Sequence, residues 1–182
     1  MSSSLVFFSY FTILTNIFCC MAFSVSILSP LKYPVNNNAF LRFFTKQEVL
    51  STLAASIILV AIVYYLVLAA TWQPTGWDYL TDLYLHLISP IFFLLFWLSI
   101  DTKKPLQLTN MMLGAVYPIC YIIYVFARGQ ITGLYPYPFI NLTELGLAKT
   151  LINCSIIFLA FEAITVILFA TKHAVNKLLY SK

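Results

Sequence analysis

The apolar residues of this chain fall into five long blocks, separated by short stretches that hold most of its prolines, glycines and charges. Inside each block the apolar character runs all round rather than along one stripe. Alternation with period two, the mark of a half-buried strand, is missing. A block of about 18 to 25 residues that is apolar on every face is the pattern of a helix crossing a bilayer. The blocks at 5–29, 48–71, 79–100, 110–127 and 147–170 therefore predict an all-α helix bundle of five spans in one transmembrane domain, 1–182. The first block is too long for the core of a signal peptide and lacks a basic start. Pro30 and Pro34 end it, Pro74 and Gly76 mark the turn after the second, and Pro118 predicts a kink in the fourth.

Composition agrees. Only 9% of the residues are charged and 62% are hydrophobic, whereas a soluble domain carries about a quarter charged residues. The net charge of +4 is not the footprint of a nucleic-acid binder, because the basic residues are scattered between apolar runs. Cys19, Cys20, Cys120 and Cys154 all lie in apolar blocks without metal-ligand spacing. There is no Gly-rich phosphate loop and no GxSxG elbow, so neither a metal nor a cofactor is expected. The basic residues do fix an expected orientation. Lys32, Arg42, Lys46, Lys103, Lys104, Lys172, Lys177 and Lys182 fall on one side, Arg128 and Lys149 on the other. The N-terminus is then outside and the C-terminus, a tail from Thr171 to Lys182, cytoplasmic.

Candidate chemistry centres on the stretch WDYLTDLYLHLISP, residues 77–90. His86 is the sole histidine inside an apolar block, and Asp82 lies four residues earlier on the same helix face. An ionisable side chain inside a bilayer is costly and is a functional-site hypothesis by default. At about 1.5 Å of rise per residue, each span offers a polar side chain at one level of the outer leaflet: Thr12, Tyr65, His86, Tyr121 and Asn153. Glu162 lies far deeper and reads as a protonated carboxyl, or one paired with a hydroxyl or amide. A threonine hydroxyl beside a neutral imidazole forms a nucleophile and its base, with Asp82 or a tyrosine hydroxyl to orient the ring. Tyr121 and Asn153 are candidate oxyanion donors. Plainer readings stand beside these. A membrane histidine often hydrogen-bonds between helices, and a membrane threonine usually bonds its own helix carbonyl. Asn16, one turn below Thr12, reads as interhelical glue. The loop motif Tyr135-Pro136-Tyr137-Pro138-Phe139 is either an interfacial anchor or a rigid lid over the polar layer, with Tyr135, Tyr137 and Phe139 gripping an acyl chain. Asn141-Leu142-Thr143 is a glycosylation sequon, relevant only to a eukaryotic source.

Tyr117-Pro118, Tyr121, Tyr124, Arg128-Gly129, Gly133, the YPYPF motif and Gly146, with Tyr10-Phe11-Thr12, Thr15-Asn16 and His86…Pro90, resemble the prokaryotic branch of the androgen-induced, FAR-type membrane protein family. The resemblance runs from Tyr10 to about Phe169. Animal members of that family are intramembrane threonine hydrolases of esters between a fatty acid and a hydroxy fatty acid. Their nucleophilic threonine matches Thr12 and their essential histidine His86. The family usually has six helices, one of them before the threonine-bearing helix, whereas this chain opens directly on that helix: either the true start lies upstream or this member has lost a helix. The resemblance implies a lipid-ester hydrolase in the plasma membrane of a prokaryote, acting on a membrane lipid or fatty acid ester. The alternative is a non-catalytic lipid-binding or membrane-partner protein. A transporter comes third, because five spans lack an even inverted repeat.

Overall fold

The computed structural model describes residues 6–28, 38–100 and 106–180, and these form six helices with no strand among them. Helices α1 (Phe11–Leu28), α3 (Gln47–Leu68), α4 (Trp77–Ser99), α5 (Leu108–Thr132) and α6 (Leu142–Tyr180) match the five apolar blocks, and all five are long and apolar enough to cross a membrane. Between α1 and α3 lies the short α2 (Ala39–Phe44), opened by Asn38, whose side chain accepts from the N–H groups of Phe40 and Leu41. The expected block ends at Leu5 and Ser29, the prolines Pro30 and Pro34, and Lys32, Lys103, Lys104 and Lys182 lie outside the described residues.

α3 is the central helix. It packs against α1, α4 and α6, and 56% of its most apolar stretch is buried, against 33% or less for the other four. Small residues make this approach possible. Ser51, Ala54, Ala55 and Ser56 are buried along it, and the Ser51 hydroxyl accepts from the Trp97 indole at 3.1 Å. On the α5 side, a methyl group on Gly114 would run into the Thr52 hydroxyl, so glycine is what lets these two helices touch.

The helices differ from the sequence expectation at several ends. α5 runs five residues further, to Thr132, and stops where Gly133 turns left-handed at φ 69°. Its irregular turn, Leu113–Ala115, lies just before Pro118, which sits in the first turn of the regular helix where a missing N–H is tolerated. The expected C-terminal tail is helical to Tyr180. Lys172 on that segment is buried, and its ammonium donates to the carbonyls of Trp97, Leu98 and Ile100 at 3.0, 2.9 and 2.6 Å. These are orphan carbonyls at the end of α4, where the helix dipole also favours a cation. The sequence places this lysine only in the basic C-terminal tail; the tertiary fold makes it the C-terminal cap of a neighbouring helix.

Two stretches wind wider than an α-helix, Tyr64–Leu68 at the end of α3 and Tyr84–Ile88 in the middle of α4. The second precedes Pro90, which has no N–H to give to the carbonyl four residues back, that of His86, and whose ring crowds it. Such π-turns often mark functional sites. Here they carry Tyr64 and His86.

Candidate functional site

Regular helix begins at Phe11, after a turn in which the Ser9 hydroxyl donates to the Val6 carbonyl at 2.6 Å. Thr12 is therefore in the first turn of α1, not seven residues into a helix starting at Leu5 as the apolar block implied. The N–H groups of a first turn have no partner within their own helix. In this protein two tyrosine hydroxyls from elsewhere take them. Tyr121 accepts from the Phe11 N–H at 3.2 Å and donates to the Ser9 carbonyl at 2.9 Å. Tyr137 accepts from the Thr12 N–H at 3.2 Å.

The Thr12 side chain meets the same Tyr137 hydroxyl at 3.3 Å. This sets it apart from most threonines of the bundle. Thr52, Thr81, Thr132, Thr150 and Thr171 all donate to the carbonyl four residues back in their own helix, the ordinary resting state of a helical threonine. Thr12 lines a cavity of about 70 Å³ with Tyr64, Tyr121, Tyr137, Phe139 and Ile157. Thr15, one turn on, is likewise turned outward from its helix, to the Tyr117 hydroxyl at 3.0 Å.

The aromatic loop closes over this cavity. Tyr137 is buried, and Phe139 stacks on it with ring centres 5.1 Å apart. Burial pushes the Tyr137 hydroxyl above the usual tyrosine range, and the hydrogen bonds from Thr12 oppose that shift. The hydroxyl is thus neutral near pH 7 and acts as a dipole, not an anion. Tyr135 lies against Gly129, where any side chain would collide with its ring, and its buried hydroxyl has no partner among the described residues. Asn153, expected as an oxyanion donor, instead donates to the Phe139 carbonyl at 2.8 Å. It ties the loop to α6. Asn141, the sequon residue, accepts from the N–H groups of Thr143 and Glu144 and so caps α6.

His86 is buried on α4. Its Nδ1 lies 3.0 Å from the Asp82 carbonyl and 3.2 Å from the Asp82 carboxylate. A carbonyl only accepts, so in the neutral ring Nδ1 carries the hydrogen and Nε2 keeps its lone pair. Asp82, four residues earlier on the same face, therefore contacts the ring through both its carbonyl and its carboxylate. The Tyr64 hydroxyl donates to the other Asp82 oxygen, and the Tyr64 ring lies flat on the imidazole, 3.8 Å away at 11°. The sequence reading placed Tyr65 in the polar layer. Tyr65 is 49% exposed, and its neighbour Tyr64 faces inward, one turn on from Val60 and two from Ile57 on the buried face of the helix.

Thr12 and His86 are brought to adjacent helices without a hydrogen bond between them. Asn16 is the link: its amide donates to the Thr12 carbonyl at 2.9 Å and to the Leu85 carbonyl at 3.3 Å. The backbones beside the two residues are therefore no farther apart than those two bonds laid end to end. The interhelical role expected of Asn16 is what the structure shows. Glu162 stays apart from this group, and one of its carboxyl oxygens is buried without a partner among the described residues. No group of three or more histidines, cysteines and carboxylates able to hold a metal occurs among the described residues. No family model, curated protein or solved structure matches the chain.

Proposed function

We propose that this chain is an intramembrane lipid-ester hydrolase, with Thr12 as nucleophile and His86 as its base. The observation that carries this reading is the Thr12 hydroxyl. It is turned away from its own helix and held at the head of α1, in a cavity walled by Tyr64, whose ring also stacks on His86. A helix N-terminus presents N–H donors and positive potential to a developing oxyanion. The N–H groups of Phe11 and Thr12 are such donors, and the hydroxyls of Tyr121 and Tyr137 now stand where the oxyanion would accept. The resemblance to the androgen-induced, FAR-type family implies the same two residues.

In the reaction, the Thr12 oxygen attacks the ester carbonyl while Nε2 of His86 takes the hydroxyl proton. The tetrahedral intermediate collapses to acyl-threonine, and the departing alkoxide takes that proton from the imidazolium. Water then attacks the acyl group, gives a proton to Nε2, and the fatty acid leaves as the threonine hydroxyl is restored. Asp82 keeps the ring in the required tautomer. Tyr135, Tyr137 and Phe139 form the lid. The basic-residue distribution supports an N-terminus and lid on the outer side, and the family resemblance supports a prokaryotic plasma membrane. A cysteine at position 130 should then react with an impermeant thiol reagent on intact cells.

The test is labelling of the purified protein in detergent by a fluorophosphonate. Thr12→Ser should keep some labelling, whereas Thr12→Ala and His86→Ala should each lose it. The double variant should be little worse than either single one, since paired groups act as a unit. Full labelling of folded Thr12→Ala would refute the hydrolase and favour the second reading, a non-catalytic lipid-binding protein. One observation speaks for that second reading. A far larger cavity, about 710 Å³, lies between α2, α3 and α5 against Phe18, Phe44, Leu53 and Tyr117. A lipid chain held there needs no chemistry.

A further inference from the structure

The cavity beside Thr12, about 70 Å³, is far below the roughly 300–1,000 Å³ of sites that hold a small molecule. An acyl ester reaches Thr12 only if a wall moves. His86 lies outside that cavity. It lines a separate groove of about 330 Å³ with Ala61, Ile62, Tyr65, Leu66 and Leu87, on α3 and α4. Tyr65, Leu66 and Leu87 are exposed, and on two membrane-spanning helices such apolar exposure faces hydrocarbon. Tyr64 stands between the two spaces: it lines the Thr12 cavity and lies flat on His86. The hydrogen bond from its hydroxyl to Asp82 keeps it there.

We propose that the groove between α3 and α4 is a lateral portal for the acyl chain of a membrane lipid, and that the Tyr64 ring is the gate between this portal and the Thr12 cavity. Displacing the ring joins the two spaces and removes the side chain that stands between the imidazole and the Thr12 cavity. One polar bond latches the gate, and the π-turn at Tyr64 supplies a backbone already off regular helical geometry, where a change of side-chain direction is least costly. The portal rests on geometry alone; only the statement that opening brings His86 to Thr12 rests on the hydrolase reading. Tyr64 is a positioning residue in this scheme and touches no reacting atom.

The experiment uses a phospholipid with a diazirine on its acyl chain, photolysed in vesicles carrying the whole protein, with crosslinks mapped to residues. Tyr64→Phe keeps the ring and removes the latch. Crosslinks to the Thr12 cavity, at Ile122, Ile157 and Phe139, should then rise about tenfold over wild type, the factor expected for losing a hydrogen bond to a charged partner. Ala61→Phe fills the groove beside His86 and should suppress those crosslinks, while crosslinks at the large cavity near Leu53 and Leu113 stay unchanged. Both variants should melt within a few degrees of wild type. Equal cavity crosslinking in wild type, Tyr64→Phe and Ala61→Phe would overturn the portal, whether or not Thr12 is labelled by a fluorophosphonate. Conversely, a working portal with an unlabelled Thr12 would leave the gate standing and end the hydrolase.

Discussion

Tyr135 and Tyr137 lie two residues apart in one loop, and removing the hydroxyl of each should have opposite effects. In Tyr137→Phe the lost oxygen is the acceptor for the Thr12 N–H at 3.2 Å and the partner of its hydroxyl at 3.3 Å. Both residues are under 10% exposed, so water cannot take over. An unsatisfied buried donor costs about 1–3 kcal/mol, and the group concerned is also a helix-end cap, itself worth about 1 kcal/mol. A loss of about 2 kcal/mol is expected. For a chain of this length that corresponds to a fall in melting temperature of about 4–8 °C. In Tyr135→Phe the deleted hydroxyl is buried and unpartnered among the described residues, so nothing is orphaned and a desolvation cost disappears. That variant should be neutral or slightly more stable. Thermal unfolding of both proteins in one detergent, followed by tryptophan fluorescence, measures the difference. Equal shifts, or a larger loss in Tyr135→Phe, would refute the assignment of Tyr137 as the cap of α1.

Lys172→Met keeps the length of the side chain but strips the cap from the carbonyls of Trp97, Leu98 and Ile100. A loss of about 2 kcal/mol or more is expected, read as a lower melting temperature, whereas a solvated tail lysine would show none. Gly146 breaks α6 with φ 74° and ψ 164°, a conformation open essentially to glycine alone. Gly146→Ala should therefore cost about 1–3 kcal/mol and loosen the adjoining aromatic loop, visible as faster proteolysis after Gly133.

The all-α class and the five spans were legible because a bilayer imposes them. A chain in hydrocarbon must satisfy its backbone locally, so long apolar blocks have little choice but helix. The four-residue spacing of Asp82 and His86 was legible for a related reason, since helix geometry alone puts both on one face. Asn16 could be read as interhelical because a buried amide in a span needs partners beyond its own helix. None of these required knowing which helix stands beside which.

What only the tertiary structure decided depends on packing and on departures from the regular helix. Apolar periodicity cannot register that α1 begins at Phe11, because the caps that stop it there, Tyr121 and Tyr137, arrive from more than a hundred residues away. Tyr64 and not Tyr65 faces His86 because it lies on the buried face with Ile57 and Val60, and depth arithmetic has no term for rotation about the helix axis. That Lys172 caps the end of α4 could not be read from its place in the tail, because the carbonyls it meets lie more than seventy residues away. Asn153 sat at the right depth but faces the loop. Depth along a span is a property of sequence; rotation about its axis, and the neighbour it meets, belong to the packed bundle.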